Sequence, residues 1–359
     1  MNGLLRRGAI VVAACLHLAA SAQDGAAPGK MVDIFKEVRN KHLIDCMKLK
    51  ADSCAALMDG YERAYRAPDA TESERHDLFK YAMQALTWRG AALRESGKPE
   101  EALQVLGAGL AGVREHFDGG KHFHTYIENQ RLFKEAALTL LQLDRVPEAD
   151  RVIATGRQAL DRFDDNRAKL TSERQRDLLK GGFVDGEEFE MALAKVYTSN
   201  YFPGRRPSQG IQPKIEKTEL QNRGIEALRR AEQWLWRKDE AGVKNALDVD
   251  PRVRYAEIKN DLGSLLYDQG KKKEAEKEYL AAASVACDLV ETGKKATGGS
   301  ADYVSAAMAK PACSRASTGW SLASGEYEKA FNAVFDKWYK AELKLMQEGM
   351  TPATPFIGK

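Results

Sequence analysis

The sequence has no long apolar run beyond residues 8–20, no Cys-x-x-Cys pair, no His-Glu-x-x-His and no legible Ser/His/Asp set. Each absence excludes something. A spanning helix needs about 20 apolar residues, so the body of the chain is not expected to cross a membrane and a soluble mature protein is expected. Without paired cysteines a structural zinc ribbon has no ligands. An excess of one charge is also missing: 55 Lys and Arg stand against 52 Asp and Glu. That balance argues against a general nucleic-acid binder, which needs a basic stripe to displace counterions. No convincing strand pattern is present, and helical spacing of apolar residues runs through most of the chain. With 359 residues the chain is long for one compact core, whereas a solenoid grows without a single centre.

The first residues read as a targeting signal. Arg6 and Arg7 precede an apolar run from Gly8 to Ala20, and Ala20-Ser21-Ala22 is a small-residue cleavage site. Cleavage after Ala22 leaves Gln23 first and removes two positive charges, so the mature balance is 53 minus 52, or +1. A periplasmic or secreted location is expected. The alternative is a lipoprotein, because Val12-Ala13-Ala14-Cys15 resembles a bacterial lipobox.

Cys46, Cys54, Cys287 and Cys313 remain in the mature chain, an even number for an oxidising compartment. The favoured pairs are Cys46–Cys54 and Cys287–Cys313, with four free thiols as the alternative. In one helix Cys46 and Cys54 would lie about 12 Å apart at about 1.5 Å per residue. A disulfide needs Cα atoms within roughly 7 Å. The pairing therefore predicts a helix break near Lys50-Ala51-Asp52, with Asp52 or Ser53 capping the next helix. Cys287 ends one hairpin and Cys313 falls in the next helical segment, so that bridge would staple neighbouring units.

The best-formed stretch is Asp250 to Leu289. Asp250 can cap a helix that Pro251 opens. Val253, Ile258, Leu262, Leu265 and Leu266 recur at helical spacing, Gly270 stops the helix, and a second helix follows with Ala275, Tyr279, Ala282 and Ala286 on one face. Small residues at 263, 275 and 282 would let the two axes approach. Leu262-Gly263, Leu266, Gly270, Ala275, Tyr279 and Ala282 together resemble a tetratricopeptide repeat (TPR), closest to the longer repeats of the kinesin-light-chain type. Lys259 stands where that family prefers tryptophan and Cys287 where it prefers proline. The resemblance implies an all-α solenoid of antiparallel helix hairpins, here with an irregular central insertion.

The expected organisation is a signal at 1–22, an N-terminal hairpin at 23–66 and repeats at 67–163. An irregular helical segment at 164–248, with a turn-rich loop at 200–214, separates these from further repeats at 249–348 and a loose tail at 349–359. Thr71 with Glu74 makes a capping-box pattern. Gly97 and Gly325 are turn positions, and Asp144 replaces the glycine at a third. Asp185 can cap a helix carrying Phe189, Leu193 and Val196. Pro311 is expected to start or kink its helix.

Candidates for chemistry are few. Gly107-Ala108-Gly109-Leu110-Ala111-Gly112 spells a dinucleotide motif, but it sits in a helix pattern with no preceding strand, so close helix packing is the favoured explanation. Gly319-Trp320-Ser321 lacks the flanks of a nucleophile elbow. His116, Asp118, His122 and His124 are four ligand-type side chains in nine residues. They offer an alternative reading as a metal-binding or hydrolytic envelope enzyme. Trp234 and Trp236 flank Leu235 and point different ways on a helix, and Tyr201 to Arg206 combines aromatic and guanidinium groups; both are contact candidates.

In the TPR family ligands lie along the first helices of the repeats. Projected here, that groove comprises Gln84, Thr87, Arg94, Arg131, Lys134, Glu257, Asn260, Ser264, Tyr267 and Asp268. The set is mixed in charge and lacks a carboxylate clamp. The resemblance implies a non-catalytic scaffold that needs no cofactor and binds a protein or peptide. A third alternative is a lipidated component of an outer-membrane assembly.

Overall fold

Thr71 accepts a hydrogen bond from the Glu74 amide, and the Glu74 carboxylate accepts one back from the Thr71 amide at 2.8 Å. This is the expected capping box, and it starts one of twelve α-helices found among the described residues. The computed structural model describes residues 30–117, 130–167, 181–202, 206–240, 250–293 and 301–347. No strand occurs among them. The helices are α1 (Met31–Met47), α2 (Ala51–Tyr65), α3 (Glu72–Glu95), α4 (Pro99–Phe117), α5 (Gln130–Gln142) and α6 (Val146–Arg167). They continue with α7 (Gly181–Tyr201), α8 (Lys217–Glu240), α9 (Pro251–Asp268), α10 (Lys272–Gly293), α11 (Ala301–Leu322) and α12 (Glu326–Gln347).

The chain divides into two compact units, at 1–217 and 218–359. In the first, each helix from α1 to α5 packs on the next, α3 also packs on α5, and α5 on α7. In the second, α9 packs on α10 and α11, and α10 on α11 and α12. Contact with the next helix and the next but one is the packing order of an all-α solenoid. The expected signal at 1–22 and tail at 349–359 lie outside the described residues.

The first core is apolar and partly aromatic. Val38, Leu57, Tyr61, Ala64 and Leu78 are buried in it, and Phe35, Tyr61 and Tyr81 meet at centroid distances of 5.6 to 5.9 Å. Leu86, Leu106, Val113, Leu132 and Ala136 continue it across α3, α4 and α5. Cys46 and Cys54 are disulfide-bonded, with Cα atoms 4.6 Å apart. The predicted break is there but falls slightly earlier. α1 ends at Met47, Leu49 takes a left-handed φ of 59°, and neither Asp52 nor Ser53 caps α2, which opens after Lys50 without a side-chain cap.

Turns between paired helices follow one rule. Gly97, Gly270 and Gly325 adopt φ of 81°, 76° and 62°, and Asp144 takes the same region at 59°. Asp144 is held there by Lys214, whose amide donates to Oδ1 at 2.7 Å and whose ammonium lies 3.0 Å from Oδ2. These bonds hold the Asp144 carboxyl below its usual pKa. They also pin the segment after α7 to the α5–α6 turn. Asn200 donates to the Ile211 carbonyl at 2.7 Å, and Ile211 is buried. The expected irregular span at 164–248 thus contains the end of α6, the whole of α7 and of α8, and a fastened connection.

In the second unit Asp250 caps α9 by accepting from the Arg252 amide, with Pro251 at the first helical position. Cys287 and Cys313 join α10 to α11, with Cα atoms 5.0 Å apart. Tyr279 lies against two glycines. A Cβ built on Gly263 would sit 2.9 Å from its ring, and one on Gly319 2.3 Å from its Cβ. Those contacts set how closely α9 and α11 approach α10. Pro311 does not start a helix, one of the two expected outcomes; it lies inside α11. Its side chain is exposed, so the ring occupies solvent rather than core. α7 likewise begins at Gly181, before Asp185.

Candidate partner-binding face

Gln84, Thr87 and Arg94 lie on α3 at helical spacing, and Arg131 and Lys134 lie one turn apart on α5. The structure separates this set by burial. Thr87 is buried, its hydroxyl donating to the Met83 carbonyl at 2.7 Å. Arg94 is buried as well, and its Nε and Nη2 donate to Glu135 Oε2 at 3.3 and 3.0 Å. Thr87 and Arg94 are therefore not groove residues but ties within the stack. A guanidinium removed from water needs a carboxylate at hand, and α5 supplies one.

The remaining three are at least partly exposed. Lys134 lies 3.8 Å from Glu135 and 3.7 Å from Glu188, and Arg131 lies 3.8 Å from Glu188. Gln84 is half-buried. Ion pairs thus run from α3 through α5 to α7 along helices that pack directly on one another. On the neighbouring pair, Arg157 of α6 donates twice to Glu190 of α7, at 2.8 Å to each oxygen.

In the second unit Asn260 is fully buried and donates to the Ala312 carbonyl at 2.8 Å, so it too belongs to the packing. Ser264 bonds the Asn260 carbonyl at 3.0 Å and the Tyr279 hydroxyl at 2.9 Å. Glu257 pairs with Arg254 at 2.6 Å. Tyr267 is half-buried and Asp268 exposed. Burial raises the Tyr279 phenol pKa, against the opposing effect of its hydrogen bond to Ser264.

Lys259 has a role that its place in the repeat pattern did not reveal. Its ammonium sits 2.9 Å from Glu232 of α8 and 2.7 Å from Glu278 of α10, and 5.2 Å from the centre of the Tyr255 ring. Burial opposes its charge, but hydrogen bonds to Glu278 and Glu232 outweigh this and hold its pKa above the usual lysine value. One cation thereby ties three helices. Nearby, Trp234 is buried and Trp236 exposed, the latter 5.1 Å from Tyr255.

The dinucleotide-like hexapeptide lies wholly inside α4, where a Cβ on Gly109 would strike Leu86 at 2.6 Å. It is a packing surface. Gly319-Trp320-Ser321 lies within α11, and Trp320 donates to Asn332 at 2.8 Å. Of the candidate metal ligands, Asp118, His122 and His124 lie outside the described residues, as does the side chain of His116. In the aromatic loop, Tyr201 is buried edge-on to Phe202 at 5.0 Å and Arg206 is exposed. Residues 203–205 lie outside the described set.

No protein-family model matches the chain, and no curated protein matches it.

Sequence reasoning missed Glu135, Glu188, Glu190 and Lys259. A signal existed for Glu135. It falls inside Leu132-Phe133-Lys134-Glu135-Ala136-Ala137-Leu138, where a carboxylate amid apolar residues at helical spacing implies a buried partner. Its mate, Arg94, is 41 residues away, a separation that no local pattern reports.

Proposed function

We propose that the chain is an exported, non-catalytic, TPR-like helical scaffold that binds a protein or peptide segment in the cell envelope. The observation that carries this reading is the direct packing of α3 on α5 and α5 on α7. The first helices of successive hairpins thereby form one layer, and Gln84, Arg131, Lys134 and Glu188 give it a polar, mixed-charge surface. Such a surface suits an extended segment carrying charges of both signs, with rim charges governing specificity and on-rate more than affinity. Two disulfides fit an oxidising compartment. The Arg6-Arg7 signal supplies the route, and no described helix is long and apolar enough to cross a membrane.

A cross-linking pull-down from envelope extract tests it. Wild-type protein is compared with Gln84→Arg and Lys134→Glu variants whose helicity is checked by circular dichroism. The expected result is a partner recovered with wild type and reduced about tenfold or more by either variant, as a misplaced interfacial charge predicts. Recovery that does not change with these residues contradicts the proposed face.

A further inference from the structure

Of the four tight turns that pass through Gly97, Asp144, Gly270 and Gly325, one differs from the rest. α4 opens on Glu100 and Glu101, α6 carries Glu148, and α12 opens on Glu326 and Glu328. Acid at a helix start is what the macrodipole favours. The bases beside two of these turns are paired, Lys98 with Glu101 at 3.3 Å and Arg145 with Glu148 at 2.5 Å. The α9–α10 turn instead reads Gly270-Lys271-Lys272-Lys273, with Lys277 one turn further along. All four lysines are exposed, and none is ion-paired among the described residues.

Folding does not ask for them. The turn is closed by backbone bonds alone, Gly270 N to Tyr267 O at 2.9 Å and Lys271 N to Leu266 O at 3.0 Å. Lysines at the start of a 22-residue helix oppose its dipole. The exposed charges from residue 267 to residue 277 are Lys271, Lys272, Lys273 and Lys277 against Asp268 and Glu274, four minus two, or +2. α10 also has one acid in its first turn, Glu274, but only at this turn do three consecutive lysines outnumber it, so the basic excess is a property of this hairpin tip.

We propose that the α9–α10 tip docks on an anionic phospholipid surface. Ammonium groups are compact point charges without the fork geometry that fixes a single carboxylate or phosphate. The one aromatic in this span, Tyr267, is half-buried in α9 before the turn, and none lies among the lysines at 271–277 to stack on a base or anchor a peptide. A layer of negative headgroups asks only for clustered positive charge within a Debye length. The site is separate from the α3–α5–α7 face, so it stands or falls without the partner reading.

The test is co-sedimentation of the purified mature chain with phosphatidylglycerol–phosphatidylcholine vesicles and with phosphatidylcholine vesicles alone, at low and raised salt. The variant is K271Q with K272Q and K273Q; the three side chains are exposed, and circular dichroism verifies the fold. Wild type is expected to bind only the anionic vesicles and to release with salt. The triple variant is expected to bind roughly a hundredfold more weakly, about fivefold per lysine. Equal binding by variant and wild type, or no preference for the anionic vesicles, overturns the proposal. So does lysine-dependent binding to soluble poly-glutamate without binding to vesicles, which would assign the tip to an acidic peptide.

Discussion

The two units hold neighbouring helices together by different means. In the first, side-chain ion pairs do it: Arg94 to Glu135 between α3 and α5, and Arg157 to Glu190 between α6 and α7. In the second, Lys259 pairs with Glu232 and Glu278 and Arg315 with Asp261, and a covalent bond and side-chain amides on backbone carbonyls are added to these ion pairs. Cys287–Cys313 joins α10 to α11, Asn260 reaches Ala312, and Gln221 reaches Leu265 at 2.6 Å. Both units contain a disulfide, but the first closes only eight residues within one hairpin, while the second closes 26 across two. Loss of a buried charge is therefore expected to weaken either unit, and reduction to weaken the second more than the first.

The largest single effect is therefore expected at Arg94. Arg94→Met leaves buried Glu135 with only the Lys134 ammonium, 3.8 Å away, to offset its charge, and breaking a buried pair costs about 3–5 kcal/mol. Hydrogen exchange should show the loss in α3 to α5 and not in α9 to α11. Adding Glu135→Met should recover most of it, because a buried pair replaced by apolar groups is often neutral.

Removing the second disulfide comes next. Cys287→Ser with Cys313→Ser is expected to cost about 3.5 kcal/mol, against about 2.5 for the Cys46–Cys54 pair, from the loop lengths they close. Chemical denaturation of the two double variants measures the order. A larger loss for the shorter loop would reverse the comparison.

Glycines sharpen it further. Gly319→Ala drives a methyl into Tyr279 and should destabilise the second unit by about 1–3 kcal/mol. Gly107→Ala meets nothing within 4 Å and should stabilise α4 by about 0.5–1 kcal/mol. Both are read by thermal unfolding.

The smallest effect is the pH response of Lys259. Its folded pKa is raised, so its contribution is complete below the unfolded value of about 10.4 and is lost as pH rises through the folded value. Alkaline titration of unfolding should show a steeper decline for wild type than for Lys259→Met, in which the buried tyrosines with raised pKa still contribute.

What was legible in the sequence was local. Thr71 with Glu74, Asp250 with Pro251, the turn glycines and Asp144 each act within a few residues, and each was placed correctly. The favoured disulfide pairs are the ones that form, and helix geometry made the break between Cys46 and Cys54 readable from that pairing. Burial of Thr87, Arg94 and Asn260 was not legible. A repeat register puts them on a first-helix face, but whether that face is open depends on what the next helix but one carries. Pro311 opens no helix for a related reason: a proline whose ring faces solvent can stay inside a helix held on its other side by α9, α10 and α12. Lys259 stands where the TPR resemblance expects tryptophan and is accommodated by Glu232 and Glu278, on the helices before and after its own.

The proposal of an exported scaffold stapled by two disulfides is tested most directly by the intact mass of the protein recovered from the envelope without reductant. The predicted species begins at Gln23 and is four hydrogens lighter than its fully reduced form, through the Cys46–Cys54 and Cys287–Cys313 bonds. A chain that keeps its first 22 residues and four free thiols would contradict it.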